Sequence, residues 1–387
     1  MIKLLLSLSF ITILFFSSVK VVAQTTQASI SGVITDEQKK PIPGASVQVK
    51  NESTGFTTKS TSNALGEYTF KELPLGGPYT VTVSFIGLGE QTRTGYMLNL
   101  GDVVKVGVTM RATAQTLEAV QVVASGLRNK AKTFGASTEI SAKTMNQLPV
   151  NGRNFSSLMD LSPLSRGGGI SGQLSSSTNY TIDGMSAKNP TSAGSTTSRS
   201  GAPYSISIEA VREFKVVTNQ YDVTLGRSGG GTITAVTKSG TNQLTGSAFS
   251  YGRADWLASP FDIRGVRRDV DYSTYQYGFT LGGPIIKDKL HYFVGWDHQK
   301  DSRPLIIADI KSSADEARFN ITNATLNSFL TTARTKYGVA NSAQFGSFEK
   351  KRGSDAAFAR LDWQINDRNL LTIRDNYTND RNPLGLG

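Results

Sequence analysis

The stretch YSISIEAVREFKVVTNQYDVTLGRSGGGTITAVTKSGTN, residues 204–242, carries the strongest structural signal in the chain. It predicts a short helical turn followed by two strands, because β-branched runs alternate with a Ser cap and a Gly-rich break. The predicted elements are a turn over 208–213 capped by Ser207, strands over 214–219 and 232–238, and a break at 229–231. The segment has no His, no Cys and no acidic pair, so the pattern indicates a structural scaffold and not a catalytic site.

The run RSGGGTITAVTKSGTN, residues 227–242, resembles the end of the plug domain of TonB-dependent outer-membrane transporters, in particular their Oar-like branch. The segment NYTIDGM, residues 179–185, is similar to the plug strand that precedes it in such proteins. The resemblance implies an α+β plug over 131–242, with a barrel beginning at 243. A plug that must be released is expected to meet its barrel through charged side chains. The candidates for these plug–barrel contacts are Asp183, Arg212, Glu213 and Arg227.

Composition excludes several kinds of site. Lys and Arg number 41 against 30 Asp and Glu, but the basic residues are scattered. A nucleic-acid-binding protein usually gathers its positive charge in one stripe, so nucleic acid is not an expected partner, whereas an acidic lipid surface is compatible with the charge. The chain has no Cys, which excludes disulfides, thiolate metal sites and a cysteine nucleophile.

Residues 1–23 have the features of a secretory signal peptide. Lys3 supplies a positive charge, residues 4–16 form an apolar core, and residues 21–23 form a small-residue cleavage site. An uncleaved anchor is the alternative, but Lys20 interrupts the apolar run. The sequence therefore predicts export with cleavage after Ala23, and any part that enters a membrane is expected to do so as a closed barrel.

Residues 28–111 alternate short β-prone runs with turn clusters, a pattern typical of an all-β sandwich. One predicted strand places Tyr79, Val81, Val83 and Phe85 on a single face. The segments GVITD, PGASV and LGEYTF, at 32–36, 43–47 and 65–70, resemble the carboxypeptidase regulatory-like domain. The resemblance implies a seven-stranded module without a peptidase site, used for structure or partner docking, in a fold sometimes grouped with carbohydrate-binding sandwiches.

Residues 112–130 join this sandwich to the plug, and TLEAVQVVA at 116–124 is competent to form a strand. The segment resembles the Ton box, which pairs as an added strand with a TonB-type periplasmic energy-coupling protein. Such pairing uses backbone hydrogen bonds and tolerates many side chains. The alternative is a last sandwich strand or a plain linker. The candidate coupling residues are Leu117, Glu118, Val120, Val122 and Val123.

Residues 243–387 predict the first strands of an outer-membrane barrel. Tyr275, Tyr277, Phe279 and Leu281 share one strand face, as lipid-facing strands require, although a soluble sandwich could show the same alternation. Tight turns near 287 and 367 alternate with loops of about twenty and nearly sixty residues, which is typical of periplasmic turns and extracellular loops.

Five barrel strands are predicted. Five strands alone would leave open edges in lipid, and transporters of this kind close with about 22 strands. The chain is therefore expected to be the N-terminal fragment of a longer, truncated barrel.

The predicted fold class is mainly β: a small sandwich, an α+β plug and the first strands of an incomplete antiparallel transmembrane barrel. The predicted function is uptake of a large or scarce ligand, such as a glycan or peptide, across the outer membrane. The expected partners are a TonB-type protein and outer-membrane lipid. The alternative is a cell-surface adhesion or carbohydrate-binding protein that acts through its sandwich.

An enzyme is disfavoured, and no catalytic residue, metal or cofactor is expected. The chain contains only two His residues, His291 and His298. Both fall in one predicted barrel strand, too far apart to share a metal ion. The sequence also lacks a nucleophile elbow and a Walker loop.

Overall fold

Three β-rich bodies follow one another along the chain in the computed structural model. They are an N-terminal sandwich, a central domain built on a mixed sheet, and a five-stranded antiparallel sheet. The structure describes residues 28–112, 122–123, 136–141, 144–145, 161–166, 169–174, 177–186, 207–218, 229–261, 263–265, 271–305, 310, 312–339, 348–367 and 369–381. The predicted signal peptide lies outside these residues.

The sandwich packs two sheets over one apolar core. One sheet has the order β4-β1-β7, with β8 also on β1, and the other has the order β3-β2-β5-β6-β9. The strands are β1 (Ala28–Thr35), β2 (Ser46–Asn51), β3 (Thr57–Thr61), β4 (Glu67–Leu73), β5 (Gly76–Ser84), β6 (Gln91–Leu98), β7 (Val103–Lys105), β8 (Val108–Thr109) and β9 (Val122–Val123).

The side chains of β5 alternate between its two faces, and the face predicted to be apolar lies in the core. Tyr79, Val81 and Val83 are fully buried there, and the Tyr79 hydroxyl donates a 2.6 Å hydrogen bond to the Pro74 carbonyl oxygen. Phe85 is wrongly predicted to share this face. It is partly exposed, because β5 ends at Ser84.

The strand count differs from the predicted seven because one edge strand is interrupted. β7 and β8 both run parallel to β1, at Ser29–Ser31 and Ile34–Thr35. Between them the Val106 carbonyl oxygen approaches Gly32 so closely that a Cβ on residue 32 would collide with it. β9 lies beyond residues 28–111, so the module itself has eight strands, and counting β7 and β8 as one interrupted strand gives the predicted seven.

The central domain is organised around the pair of strands that the sequence singles out. Its sheet has the order β10-β15-β16-β13-β14, with β13 parallel to β16 and the other pairs antiparallel. Its strands, with a separate small hairpin of β11 and β12, are β10 (Ala136–Ser141), β11 (Ser165–Arg166), β12 (Gly169–Ile170), β13 (Asn179–Ile182), β14 (Met185–Ser186), β15 (Val211–Thr218) and β16 (Gly231–Thr237).

β15 and β16 lie in the middle of this sheet and are buried almost throughout, including the charged residues Glu213 and Lys215 of β15. Ser207 caps a one-turn 3-10 helix, Ile208–Ala210, that is shorter than the predicted turn. The strand begins at Val211 instead of residue 214, because Val211 already pairs with Thr237. The sequence also predicts two short helices, one over 142–148 capped by Ser141 and one between Asn151 and Pro163, and most of both lies outside the described residues.

The C-terminal body, here called the barrel sheet, has five sequential antiparallel strands, as predicted. These are β17 (Thr245–Ala254), β18 (Ser273–Ile286), β19 (Leu290–Leu305), β20 (Phe348–Asn366) and β21 (Asn369–Arg381). The turns after β18 and β20 are tight and lie at one end of the sheet, here called the short-turn end. The long connections lie at the other end.

The long connection between β19 and β20 contains two helices that the sequence analysis does not predict. They are α1 (Ser313–Phe319), with a Ser312 capping box, and α2 (Asn323–Tyr337), which ends at Gly338 in the left-handed conformation. None of the helices in the described part of the chain is long and apolar enough to cross a membrane.

The two faces of the barrel sheet differ sharply. On β18 the outer-face residues Tyr275, Tyr277 and Phe279 are 45–46% exposed, whereas the inner-face residues Gln276 and Thr280 are 5–6% exposed. Aromatic and apolar side chains therefore alternate with polar ones as predicted, with the apolar side chains on the face that would meet hydrocarbon.

We expect Phe279→Lys to impair membrane insertion of the protein much more than Tyr251→Lys. The two side chains are 46% and 48% exposed, but Tyr251 pairs with Gln276 and lies on the inner face. A lysine on the lipid face costs about 2–4 kcal/mol near the bilayer midplane. The measurement is the protease-resistant fraction after refolding into phospholipid vesicles, and equal insertion of both variants would contradict the assignment of faces.

Candidate functional site

The inner face of the barrel sheet contacts the central domain, and this interface is the candidate functional site. An apolar contact forms its base. Phe293 and Phe358, with ring centroids 6.2 Å apart, join the buried cluster of the central domain that includes Phe214 and Ile233. The remainder of the interface is polar, and its hydrogen bonds fall into three groups.

The first group surrounds Asp183, one of the predicted plug–barrel residues. Its carboxylate accepts hydrogen bonds of 2.8 Å from both the backbone N–H and the hydroxyl of Thr237 on β16. Arg374 of β21 lies 3.0 Å from the same carboxylate and also donates to the Asp183 carbonyl oxygen at 3.2 Å. Asp183, which is buried, therefore connects the central domain to the barrel sheet through an ion pair with the partly exposed Arg374.

The first group also includes Arg360 of β20. Its guanidinium forms a two-point pair with Asp362, two residues along the same strand face, at 2.8 and 2.9 Å. Its Nη1 atom donates to the Thr237 hydroxyl at 3.0 Å. Thr237 thus lies between a carboxylate of its own domain and a guanidinium of the barrel sheet.

The second group connects the capped turn before β15 to β19. The Ser207 hydroxyl donates a 2.8 Å hydrogen bond to Asp297, which also accepts from the Gln276 side-chain amide at 3.0 Å. Ser207 at the same time accepts from the Glu209 backbone N–H. One serine therefore caps a helical turn and binds the barrel sheet.

The third group lies at the short-turn end. The side-chain oxygen Oδ1 of Asn242 accepts from His291 Nε2 at 2.9 Å and from the Asp288 backbone N–H at 2.8 Å. The side-chain nitrogen Nδ2 of Asn242 donates to the Asp288 carboxylate. This chain of contacts fixes the point where the central domain leads into β17.

Two predicted plug–barrel residues make their described hydrogen bonds to a different body, the sandwich. Arg212 Nη2 donates to the Leu98 carbonyl oxygen at 2.7 Å, and the Leu100 backbone N–H donates to the Glu213 carboxylate at 3.1 Å. Burial lowers the pKa of the Arg212 guanidinium, and the neighbouring Glu213 opposes this change. The sequence could not indicate this partner, because it identifies charged plug residues but not the body that each residue faces.

The sandwich also contacts the short-turn end of the barrel sheet. The Asn242 backbone N–H donates to the Ser53 carbonyl oxygen at 2.7 Å, and the Gln364 side-chain amide donates to the Thr57 carbonyl oxygen at 3.2 Å. A cavity of about 970 Å³ lies where the three bodies meet. Its walls include Glu72 from the sandwich, Asp183 and Arg212 from the central domain, and Arg360 and Arg374 from the barrel sheet.

The predicted coupling residues are only partly described. Val122 and Val123 form β9, which pairs in parallel with Arg93 and Thr94 of β6. Leu117, Glu118 and Val120 lie outside the described residues, as does Arg227 from the predicted plug–barrel set.

The barrel-side residues of the site are not among the residues predicted from the sequence. These are Asp297, His291, Arg360, Asp362 and Arg374. The available signal was their polar character at inner-face positions of otherwise apolar strands, since period-2 alternation assigns a face to each residue.

The two histidines point away from each other. β19 turns His291 to the inner face and His298 to the outer face, where His298 pairs with Asp355 at 2.7 Å. Among the described residues, no cluster of His, Asp and Glu could hold a metal ion.

Comparison with known proteins identifies two domains and one relative. A family model described as a carboxypeptidase regulatory-like domain matches residues 29–111, and one described as an outer membrane beta barrel domain matches residues 236–318. The TonB-dependent transporter Oar of Myxococcus xanthus is 27% identical over 352 residues, which cover 82% of this chain and 31% of that protein. The chain thus spans less than a third of the length of this relative.

Two solved structures show a low similarity. The siderophore receptor PirA of Pseudomonas aeruginosa has 15% identity and a TM-score of 0.41, with 65% of this chain and 34% of that chain covered. The outer membrane transporter YddB of Escherichia coli has 18% identity and a TM-score of 0.42, with 63% and 33% covered.

The domain matches and the relative agree with the mainly β architecture and assign the chain to the outer membrane. The chain is therefore a homologue of the TonB-dependent transporter Oar that joins a carboxypeptidase regulatory-like domain to an outer membrane β-barrel domain.

Proposed function

We propose that this chain is part of a TonB-dependent outer-membrane transporter in which the central domain, residues 131–242, is the plug. The observation that carries the proposal is the polar interface between this domain and the inner face of the barrel sheet. Ion pairs and hydrogen bonds to side chains can be exchanged for water more easily than a dry, interdigitated core can be separated. An interface of this kind suits a domain that is held firmly but must move.

The energy for that movement is proposed to come from a TonB-type periplasmic protein acting on residues 116–124. Two facts support this assignment: the segment contains strand-forming residues, and Val122–Val123 already adopts a strand at a sheet edge. Addition of a strand from a partner would use the same backbone groups. The ligand is proposed to be large or scarce, and the transport cycle needs no covalent chemistry.

The position of the sandwich argues against an adhesion protein that acts at the cell surface through this domain. The sandwich contacts the short-turn end of the barrel sheet, near Asp288 and Gln364. In bacterial outer-membrane barrels the short turns face the periplasm and the long loops face the exterior. We infer a periplasmic sandwich.

The plug assignment predicts a change in conductance for Asp183→Ala. Removing this carboxylate leaves the Thr237 N–H without its described acceptor and leaves Arg374 with only the Asp183 carbonyl oxygen, so the plug should be held less firmly. In the complete transporter of which this chain is proposed to be part, we expect more frequent openings to KCl in planar bilayers than for the unchanged transporter. Asp271→Ala is the matched control, because Asp271 is an exposed loop carboxylate. Equal conductance of both variants would argue against the plug.

The coupling assignment predicts a selective effect of proline. Val122→Pro removes a backbone N–H donor, whereas Val122→Ile keeps both the donor and the β propensity. We expect the first variant to weaken binding of a purified TonB-type periplasmic domain by about tenfold, and the second to leave it unchanged. Binding is measured by surface plasmon resonance on the detergent-solubilised protein. Undiminished binding of Val122→Pro would rule out pairing through this segment.

The inferred orientation can be tested by labelling single cysteines, because the natural chain contains none. Leu65 in the sandwich is 64% exposed, and Tyr337 at the end of α2 is 78% exposed. On intact cells a membrane-impermeant maleimide should label Tyr337→Cys but not Leu65→Cys, and it should label both after the outer membrane is permeabilised. Labelling of Leu65→Cys on intact cells would place the sandwich outside.

A further inference from the structure

Three basic residues surround a glycine on the outer face of the barrel sheet. Lys300 of β19, Gly353 of β20 and Arg381 of β21 are paired side by side in one row, so the glycine lies between two cations. The row belongs to the outer face because Lys300 also pairs with Tyr275 of β18. Lys351 precedes Gly353 by two residues and therefore lies on the same face of β20. Lys300, Lys351 and Arg381 are exposed, and these four residues of β19, β20 and β21 are here called the glycine notch.

The packing of the sheet does not require a glycine at residue 353. A Cβ atom there would meet only the Gln299 carbonyl oxygen, at 4.0 Å, which is an ordinary contact, and Gly353 does not adopt the left-handed conformation. The missing side chain instead leaves open space between two cations. Because adjacent strands lie about 4.8 Å apart, Lys300 and Arg381 leave the sheet about 10 Å from each other, and both side chains are long enough to reach one group above the glycine.

The glycine notch lies at the margin of the apolar part of the outer face. The next row toward the short-turn end contains Tyr277, and the row after it contains Trp296 and Tyr377. Tyr and Trp form girdles at the level of the lipid headgroups in membrane proteins. Beyond this girdle the strands continue to the long connections, which face the exterior in the orientation inferred above. In that orientation the notch lies beside the headgroups of the exterior leaflet.

The carboxylate in the adjacent row does not occupy the notch. Asp355 lies two residues from Gly353 on the same face, and its Oδ1 atom is 2.7 Å from His298 Nδ1. The imidazole contacts the rings of Tyr277 and Trp296, with centroids 5.1 and 6.0 Å away. This pairing holds the Asp355 carboxylate along its own row, so the space above Gly353 is bordered by cations.

We propose that the glycine notch binds a phosphate group of a lipid in the exterior leaflet of the outer membrane. Lys supplies a mobile point charge and Arg a planar fork of donors, and both bind phosphate oxygens. Clusters of Lys and Arg beside a membrane surface favour anionic headgroups, and the aromatic girdle next to the notch contacts the apolar part of the same lipid. The proposal rests on the inferred orientation of the barrel sheet and not on the plug or the coupling segment.

The proposal is tested by native mass spectrometry of the complete transporter in detergent. The probe is a diphosphorylated lipid A, and the control lipid is the same molecule without its phosphates. We expect the unchanged transporter to retain the phosphorylated lipid about tenfold more than the control lipid. Lys300→Ala with Arg381→Ala should abolish most of this preference. The matched control is Lys287→Ala with Lys289→Ala, which removes two exposed cations from the tight turn at the opposite end of the sheet.

A second test fills the notch without changing its charge. Gly353→Leu should reduce retention of the phosphorylated lipid to the level of the variant that lacks two cations. Gly353→Ala, whose single methyl group the structure accommodates, should have a much smaller effect. Each variant is first shown to be folded by its protease resistance in phospholipid vesicles.

Equal retention of the two lipids by the unchanged transporter, or equal retention of the phosphorylated lipid by all folded variants, would overturn the proposal. If inorganic phosphate at the same concentration displaces the lipid, the notch is a site for free anions and the lipid assignment is wrong. If the lipid binds but labelling of Tyr337→Cys places the long connections in the periplasm, the phosphate site stands and the assignment to the exterior leaflet is wrong.

Discussion

Every polar group on the inner face of the barrel sheet needs a partner that is not lipid, and this requirement shapes the rest of the molecule. Hydrocarbon cannot satisfy Asp297, Arg360 or Arg374, so a second body must supply donors and acceptors or hold water against them. The central domain meets this need through Ser207, Thr237 and Asp183. Its own strands β15 and β16 are buried on both faces, which gives the polar contacts a rigid base.

Residue alternation made the fold largely predictable, because period-2 patterns assign each strand residue to a face without any knowledge of its partner. The five barrel strands, the β15–β16 pair and the capping role of Ser207 all follow from local pattern. The contacts between residues of different domains cannot be predicted in this way. Asp183 and Arg374 are 191 residues apart, and no local rule connects them. For the same reason local sequence does not indicate that Arg212 and Glu213 form hydrogen bonds with the sandwich, and it does not indicate α1 and α2 within a long connection.

The sandwich is more closely integrated with the other two bodies than its modular sequence suggests. It contacts strand β15 of the central domain through Leu98 and Leu100, Asn242 through Ser53, and the barrel sheet through Thr57. All four of these hydrogen bonds use backbone atoms of the sandwich, so none of them depends on the identity of a sandwich side chain. A domain bound in this way can transmit or resist displacement of the central domain.

The cavity of about 970 Å³ at the meeting point of the three bodies has a mechanical consequence. Charged side chains that border a solvent-sized space can exchange one protein partner for water and then for another, so they need not pass through a bare, desolvated state. Water in such a cavity would lower the electrostatic cost of separating these charged pairs. Polar contacts of this kind can hold the three bodies together without making their separation very costly.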